Sequence, residues 1–308
     1  MKFNHQSVLL KECIDGLNIK ADGIYIDGTA GGGGHSAAIA QRLKNGRLIA
    51  IDKDGAAIEA AGEKLASYPA AKVVRGDFRD MPDILDGLGI PAADGVLLDL
   101  GVSSHQLDET SRGFSYRNEA PLDMRMGCEG PTARDVVNNY DTHDLARILR
   151  EYGEERFACR IARAIAAKRM DRPIETTTEL SEIITTAIPA ATRREGGHPA
   201  KRSFQAIRIE VNGELESLTA CIEGMFARLN PAGRFAVITF HSLEDRLVKR
   251  QFAAWCKGCE CPPHFPVCIC GKQPKAAPVT KKPITPSPGE LEANNRSRSA
   301  KLRIIEKL

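Results

Sequence analysis

Apolar positions in the first hundred residues follow two alternating rhythms. Short β-prone runs (Ile24-Tyr25-Ile26, Leu48-Ile49-Ala50-Ile51, Val73-Val74, Val96-Leu97-Leu98) each end in an acidic or glycine-rich turn, and residues at helical spacing fill the gaps. Brief apolar runs bounded by turn residues predict buried strands, and apolar recurrence every three or four residues predicts helices. The expected elements are a helix over 7–17 and strands over 24–26, 47–51, 72–75 and 94–100. Helices over 36–43, 55–65 and 81–88 separate them. Four βα units in about a hundred residues predict a doubly wound parallel sheet.

The rhythm then breaks. Residues 105–126 are polar and loop-like, and from Thr132 to about Ile188 the period is helical, with no strand candidate. Helices are expected over 133–139, 141–150, 154–168 and 178–187, with Asp141 and Thr177 as N-caps. From Phe204 through Ile207, Val211, Leu215, Leu218, Ile222 and Met225 to Leu229 the apolar steps predict one long amphipathic helix. A strand over 234–240, a helix over 243–255 and a last strand over 301–305 follow. The fold class is α/β with an all-helical insertion. The expected division is 1–106 with 201–308 for the sheet, and 107–200 for the insertion.

Composition adds limits rather than identity. The 308 residues are 27% charged and 42% hydrophobic, ordinary for a globular chain with a large core. No apolar run approaches the ~20 residues of a membrane span, and Met1 to Gln6 show no signal-peptide pattern, so a cytoplasmic location and no membrane partner are expected. Net charge is +3, but residues 271–308 hold nine Lys and Arg against three Glu, a net of +6 that leaves −3 for the rest. A basic tail on a near-neutral body points to a polyanion, or to a solvated end. Nine cysteines are present. Cys13, Cys128, Cys159 and Cys221 are scattered and read as small buried hydrophobes. Cys256, Cys259, Cys261, Cys268 and Cys270 cluster with knuckle-like spacing, which in a reducing compartment suits thiols or a zinc clip better than disulfides.

The candidate chemistry centres on Asp27-Gly28-Thr29-Ala30-Gly31-Gly32-Gly33-Gly34-His35, between the first strand and its helix. Glycines let a ligand approach the main chain, and the helix start offers unpaired N–H groups. A dinucleotide fingerprint would need a glycine where Ser36 stands, and Asp27 would repel a pyrophosphate while suiting an amino or sulfonium group. That favours S-adenosylmethionine. Asp52, ending the second strand, can accept from both hydroxyls of a ribose or cap the next helix, the two being compatible if Asp54 caps instead. Phe78, after the third strand, would lie beside the adenine, with Asp77 able to accept from an amine. Asp99-Leu100-Gly101-Val102-Ser103-Ser104 ends the fourth strand at the same sheet edge.

His5-Gln6-Ser7-Val8-Leu9-Leu10, the glycine loop through Ser36, Leu98–Ser104 with Gln106-Leu107-Asp108, Arg112-Gly113-Phe114-Ser115, Pro121–Met126, Phe204–Arg208, Phe240–Arg246 and Arg298–Arg303 form an ordered set. Together they resemble the bacterial small-subunit ribosomal RNA cytosine-N4 methyltransferases over nearly the whole chain. The resemblance implies a class I, Rossmann-like, S-adenosylmethionine-dependent enzyme that methylates the exocyclic N4 of one cytidine of the decoding centre. Its helical insertion would serve substrate recognition. Its partner would be small-subunit ribosomal RNA, in an assembled or nearly assembled subunit, with no obligate protein partner. By position the cofactor contacts would be Gly33, Gly34, His35, Asp52, Phe78, Asp99 and Gln106. Thr29 departs from the general class, which has its first loop glycine there.

A cytosine amine is a poor nucleophile, and an acceptor on one N–H helps it turn tetrahedral and later takes a proton. Asp99, Ser103, Ser104 and Asp123 are the candidates, and the residues alone do not choose among them. RNA contacts would come from Arg112, Arg125, Lys201, Arg202 and the basic tail, with Phe114, Tyr116 and His241 able to stack or orient an extruded base. The competing readings are methylation of another substrate on the same fold and a non-catalytic RNA-binding assembly factor. A dinucleotide oxidoreductase is disfavoured by Asp27 and Ser36.

Overall fold

The computed structural model describes residues 7–308 apart from 104, 105, 107, 128, 194–196, 260, 263, 264 and 268. The chain forms two compact units, residues 1–101 with 216–308, and residues 102–215.

The first unit is built on seven strands: β1 (Ile24–Asp27), β2 (Arg47–Asp52), β3 (Ala71–Arg75), β4 (Ala93–Asp99), β5 (Leu229–Thr239), β6 (Ala276–Pro278) and β7 (Lys301–Lys307). Their order is β3-β2-β1-β4-β5-β7-β6. The first five are parallel, whereas β7 runs antiparallel to both β5 and β6. The sheet is therefore mixed rather than wholly parallel. β6 and β7 are sequential neighbours, and antiparallel neighbours need no crossover helix. β6 carries Pro278 on the sheet edge, where a missing N–H is tolerated.

Successive strand residues point to opposite faces, and both faces are covered. Ile49 and Ile51, with Ile26, Val96, Leu98, Phe235 and Val237, pack on α4 (Met81–Gly87), α10 (Glu214–Ala227) and α11 (Ser242–Cys256). Leu48 and Ala50, with Tyr25, Leu97, Ala236 and Ile238, pack on α1 (Leu10–Leu17), α2 (Gly34–Ala40) and α3 (Gly55–Leu65). Each large side chain so buried contributes about 1.5–3 kcal/mol. This doubly wound arrangement holds the carboxyl ends of β1, β2 and β4 side by side.

The second unit is helical: α5 (Ala133–Asn139), α6 (Thr142–Glu151), α7 (Ala158–Asp171), α8 (Thr177–Ala187) and α9 (Lys201–Asn212). They share one core containing Phe114, Leu122, Val136, Leu149, Ile161, Leu180, Phe204 and Ile207. Asp141 caps α6 as expected. The expected cap Thr177 is displaced by Thr176, which forms a capping box with Glu179. Thr177 is instead buried, its hydroxyl donating to the Asn118 carbonyl at 2.6 Å.

Two boundaries differ from expectation. The apolar stripe from Phe204 to Leu229 is two helices, not one. α9 stops at Gly213, whose φ of 56° caps it in the left-handed region. The stripe continues across the break, so periodicity alone does not register it. α9 also belongs to the helical unit, because Phe204, Ala206 and Ile207 are part of that unit's core. The division thus falls at 101/102 and 215/216 rather than 106/107 and 200/201. Among the described residues no helix is long and apolar enough to cross a membrane.

Candidate cofactor site

Adjacent strands β2, β1 and β4 end in Asp52, Asp27 and Asp99, and the three carboxyls do different work. Asp27 is 1% exposed. Its Oδ1 accepts the Thr29 N–H at 3.2 Å and its Oδ2 accepts the Ser36 hydroxyl at 2.6 Å. Burial pushes its pKa up to about 6, against the pull of those two hydrogen bonds. Asp27 therefore ties the glycine loop to α2, which corrects the expectation that it faces a ligand.

Asp52 reaches across to the same loop. Its Oδ2 accepts the Gly31 N–H at 2.8 Å and its Oδ1 accepts the Asp54 N–H at 2.9 Å. Each oxygen keeps a lone pair for a further donor. Asp54, not Asp52, caps α3 by accepting the Ala56 N–H at 3.1 Å. Burial raises the Asp52 pKa, opposed by the two amide donors.

Thr29, the residue out of line with the general class, has a specific task. Its Oγ1 accepts the Asp99 N–H at 2.6 Å, joining the β1 loop to the end of β4. A glycine could not make this bond. Gly33, the N-cap of α2, has φ 73°, and a side chain at Gly34 would overlap the Ser7 hydroxyl. At Gly31 a Cβ would meet only the Thr29 carbonyl at 3.9 Å, so this part of the loop borders open space.

Asp99 is the least satisfied of the three. Its Oδ1 is buried with no hydrogen-bond partner among the described residues. Its Oδ2 lies 3.6 Å from His35 Nδ1, too far for a hydrogen bond. Burial, then the charges of Asp27 and Glu244, push its pKa up to about 8. His35 is buried, with Nε2 3.0 Å from the Val8 carbonyl. A carbonyl only accepts, so Nε2 carries a proton, and Nδ1 is the ring nitrogen turned toward Asp99.

Phe78 is half-buried at the start of a short turn (Phe78–Asp80) and packs against the core face that includes Met81. Asp77 caps that turn through the Arg79 N–H at 2.9 Å and lies 3.6 Å from Lys53 Nζ, so its carboxylate is already engaged.

Acceptors thus dominate this edge, with open space over Gly31 and one buried carboxyl oxygen that no donor among the described residues reaches. Such a set suits a ligand with hydroxyls and a positive charge, as S-adenosylmethionine has, and disfavours a pyrophosphate.

Several other expected site residues lie in the helical unit. Ser103 and Gln106 pair with each other, Oε1 accepting the Ser103 N–H at 3.0 Å while the Gln106 N–H donates to Ser103 Oγ at 3.2 Å. Asp123 is gripped by Arg125 through Nε at 2.9 Å and Nη2 at 2.7 Å. Burial would raise its pKa, but the Arg125 bonds and charge hold it below the ordinary range. Arg112 Nη2 donates to the carbonyls of Arg125 and Met126 at 2.9 and 3.1 Å. Phe114 is a core residue. Tyr116 stacks on His198, with ring centroids 4.4 Å apart. Lys201 and Arg202 are exposed on the first turn of α9. Ser104, Cys128, Cys268 and the His5-Gln6 pair lie outside the described residues.

His241 is the N-cap of α11: its Nδ1 accepts the Glu244 N–H at 3.4 Å, and buried Glu244 accepts the amides of Phe240 and His241 at 2.8 and 3.2 Å. Sequence reasoning missed Glu244. The signal was a four-residue capping box, His241 to Glu244, disguised because its first residue is His rather than Ser or Thr. Three of the nine basic residues of the tail are also engaged by the fold. Asp245 pairs with Lys301 Nζ at 3.0 Å and Arg303 Nε at 2.7 Å, and Lys307 Nζ donates to the Leu229 carbonyl at 2.6 Å. Tail charge is thus a poor measure of affinity for a polyanion. Cys13 and Cys221 are buried as expected, whereas Cys159 is exposed.

Comparison with known proteins agrees with the resemblance named from the motifs. The sequence profile of the MraW methylase family matches residues 2–308. Ribosomal RNA small subunit methyltransferase H of Symbiobacterium thermophilum is 56% identical over 311 residues, covering 100% of this chain and 98% of that protein. The protein of the same name from Clostridium botulinum is 56% identical over 310 residues, with 100% of each covered. That of Brevibacillus brevis is 53% identical over 311 residues, covering 100% and 99%.

Proposed function

The chain belongs to the MraW methylase family, and on that premise we propose that it transfers a methyl group from S-adenosylmethionine to the exocyclic N4 of one cytidine in the decoding centre of small-subunit ribosomal RNA. The observation that carries the cofactor assignment is the buried Oδ1 of Asp99, without a hydrogen-bond partner among the described residues, at the same sheet edge as an Asp52 carboxylate with acceptor capacity to spare. Asp52 would hold the ribose hydroxyls and Asp99 would face the cationic part of the cofactor. Gly33, Gly34 and His35 would form the loop against it, with Phe78 toward the adenine and Gln106 supporting the segment after β4. The names of the curated relatives support ribosomal RNA as substrate, and the motif set supports N4 of cytosine.

S-adenosylmethionine supplies an already electrophilic methyl carbon, so the chain's work is positioning and proton handling. The N4 nitrogen forms the new bond to the methyl carbon as the sulfur–carbon bond breaks, and one N4 proton must leave. Among the described acceptor candidates, Ser103 is paired with Gln106 and Asp123 is held by Arg125. This favours Asp99 in its ionised form as the carboxyl that takes the proton. The helical unit would recognise the RNA, through Lys201 and Arg202 in particular. The preferred substrate would be an assembled or nearly assembled subunit, which implies work in the cytoplasm.

The test is transfer of labelled methyl from S-adenosylmethionine, comparing small ribosomal subunits with deproteinised RNA. Label in subunits, reduced in naked RNA, is the expected result. Cofactor binding by calorimetry without transfer to either would favour the non-catalytic assembly-factor reading.

A further inference from the structure

Between the end of α11 at Cys256 and the start of β6 at Ala276, the described residues form neither helix nor strand, and none of them is buried. Phe265, Val267 and Ile269 stand 40%, 70% and 74% exposed. Small, core-poor elements are commonly ordered by covalent cross-links or by a structural metal.

Three thiols are nevertheless brought together there. The Sγ atoms of Cys259, Cys261 and Cys270 all lie within 4.8 Å of one another. Cys270 Sγ and Cys259 Sγ are 3.8 Å apart. A disulfide would hold them at about 2.05 Å. Thiolates arranged tetrahedrally around zinc at about 2.3 Å would stand about 3.8 Å apart, the separation seen.

The main chain is directed at the same sulfurs. The Cys261 N–H donates to Cys259 Sγ at 3.4 Å, and the Ile269 N–H donates to Cys261 Sγ at 3.4 Å. Amide donors to sulfur favour the thiolate over the thiol and fix the ligand's direction, as outer-shell groups do at metal sites. Cys256 does not join the trio: it ends α11, half-buried against the core that includes Phe252, and burial pushes its thiol pKa up.

We propose that Cys259, Cys261 and Cys270 form a structural zinc site that pins the segment between α11 and β6 and holds its apolar side chains outward. Cys268 lies outside the described residues, and the site rests on the three thiols that are described. Binding converts thiols to thiolates and releases their protons to solvent, with no change in oxidation state. Three soft sulfur ligands select zinc over magnesium or calcium. The site is separate from the methyl-transfer chemistry and does not depend on it.

The experiment uses the full chain, produced with zinc in the medium and purified under reducing conditions. Metal content is read by plasma mass spectrometry, and the zinc shell by X-ray absorption. About one zinc per chain is expected, with zinc–sulfur distances of about 2.3 Å from three or more sulfurs. Cys259→Ser and Cys270→Ser should each lose the metal, and Cys256→Ser and Cys159→Ser should retain it. Circular dichroism on every variant separates metal loss from unfolding, and the absorption spectrum of the unmodified chain does not rely on any variant. Absence of stoichiometric zinc, a shell without sulfur, iron in its place, or zinc retained by both Cys259→Ser and Cys270→Ser would overturn the proposal.

Discussion

The Gly31 amide donates to Asp52 Oδ2 at 2.8 Å, so the acidic end of β2 holds the β1 loop in place while keeping acceptor capacity for a ligand. Hydrogen bonds to a charged acceptor are worth about 1.5–3 kcal/mol. Removing the carboxylate from a ribose should therefore weaken binding about tenfold to a hundredfold. Asp52→Ala is expected to lose S-adenosylmethionine affinity by that much in calorimetry while keeping a cooperative melt. An unchanged dissociation constant would remove Asp52 from the site.

Asp99 and Asp27 share a direction of pKa shift, and the sign matters. Both are raised, to about 8 and about 6, so the folded state binds their protons more tightly than the unfolded state. Their contribution to stability is fullest below the ordinary aspartate range and is lost as pH rises through those values. Asp99→Asn removes the larger effect without changing shape. The melting temperature of the variant minus that of the unmodified chain should grow as pH rises toward 8. Parallel curves would show that Asp99 ionises normally in the folded protein.

The same carboxyl predicts proton release on cofactor binding. A cation beside Asp99 favours its ionised form. Below pH 8, binding of S-adenosylmethionine should expel a proton, seen as a heat that varies with the ionisation enthalpy of the buffer. Asp99→Asn should abolish much of that dependence. Equal heats in all buffers for the unmodified chain would place the positive charge elsewhere.

Thr29 Oγ1 and the Asp99 amide test the loop's own architecture. Thr29→Val leaves that amide without its acceptor, at a cost of about 1–3 kcal/mol, and should weaken cofactor binding as well. Thr29→Ser keeps the oxygen and should restore both. Full stability and affinity in the valine variant would mean the bond contributes nothing.

His241 separates a structural role from an RNA contact. His241→Ala should lower stability by about 0.5–2 kcal/mol through loss of the α11 cap, and His241→Asn, a good N-cap, should recover most of it. Methyl transfer at saturating RNA should then match the unmodified chain. A stable asparagine variant with a raised KM for RNA would reassign His241 to the substrate.

These relationships were unevenly legible in the sequence. Strands β1 to β4, and the aspartates that end β1, β2 and β4, stand out because apolar runs ending in turn residues leave a local mark. Asp54 as the α3 cap is legible for the same reason. The fate of Asp27 is not, because nothing local says whether a buried carboxylate meets a ligand or the Ser36 hydroxyl. Gly213 divides α9 from α10 within an unbroken apolar period. β6, Ala276-Ala277-Pro278, lacks any β-branched residue and exists only because β7 pairs with it. Residue type identifies Arg125 as a candidate for RNA, but not that Asp123 already occupies its guanidinium.

The most direct test of the account is the identity of the methylated nucleoside. Small ribosomal subunits lacking the modification would be treated with the chain and S-adenosylmethionine, their RNA digested, and the nucleosides separated against standards. N4-methylated cytidine at a single position, absent with Asp99→Asn, is the predicted result. Label on cytosine carbon, on another base, on ribose or on protein would contradict it.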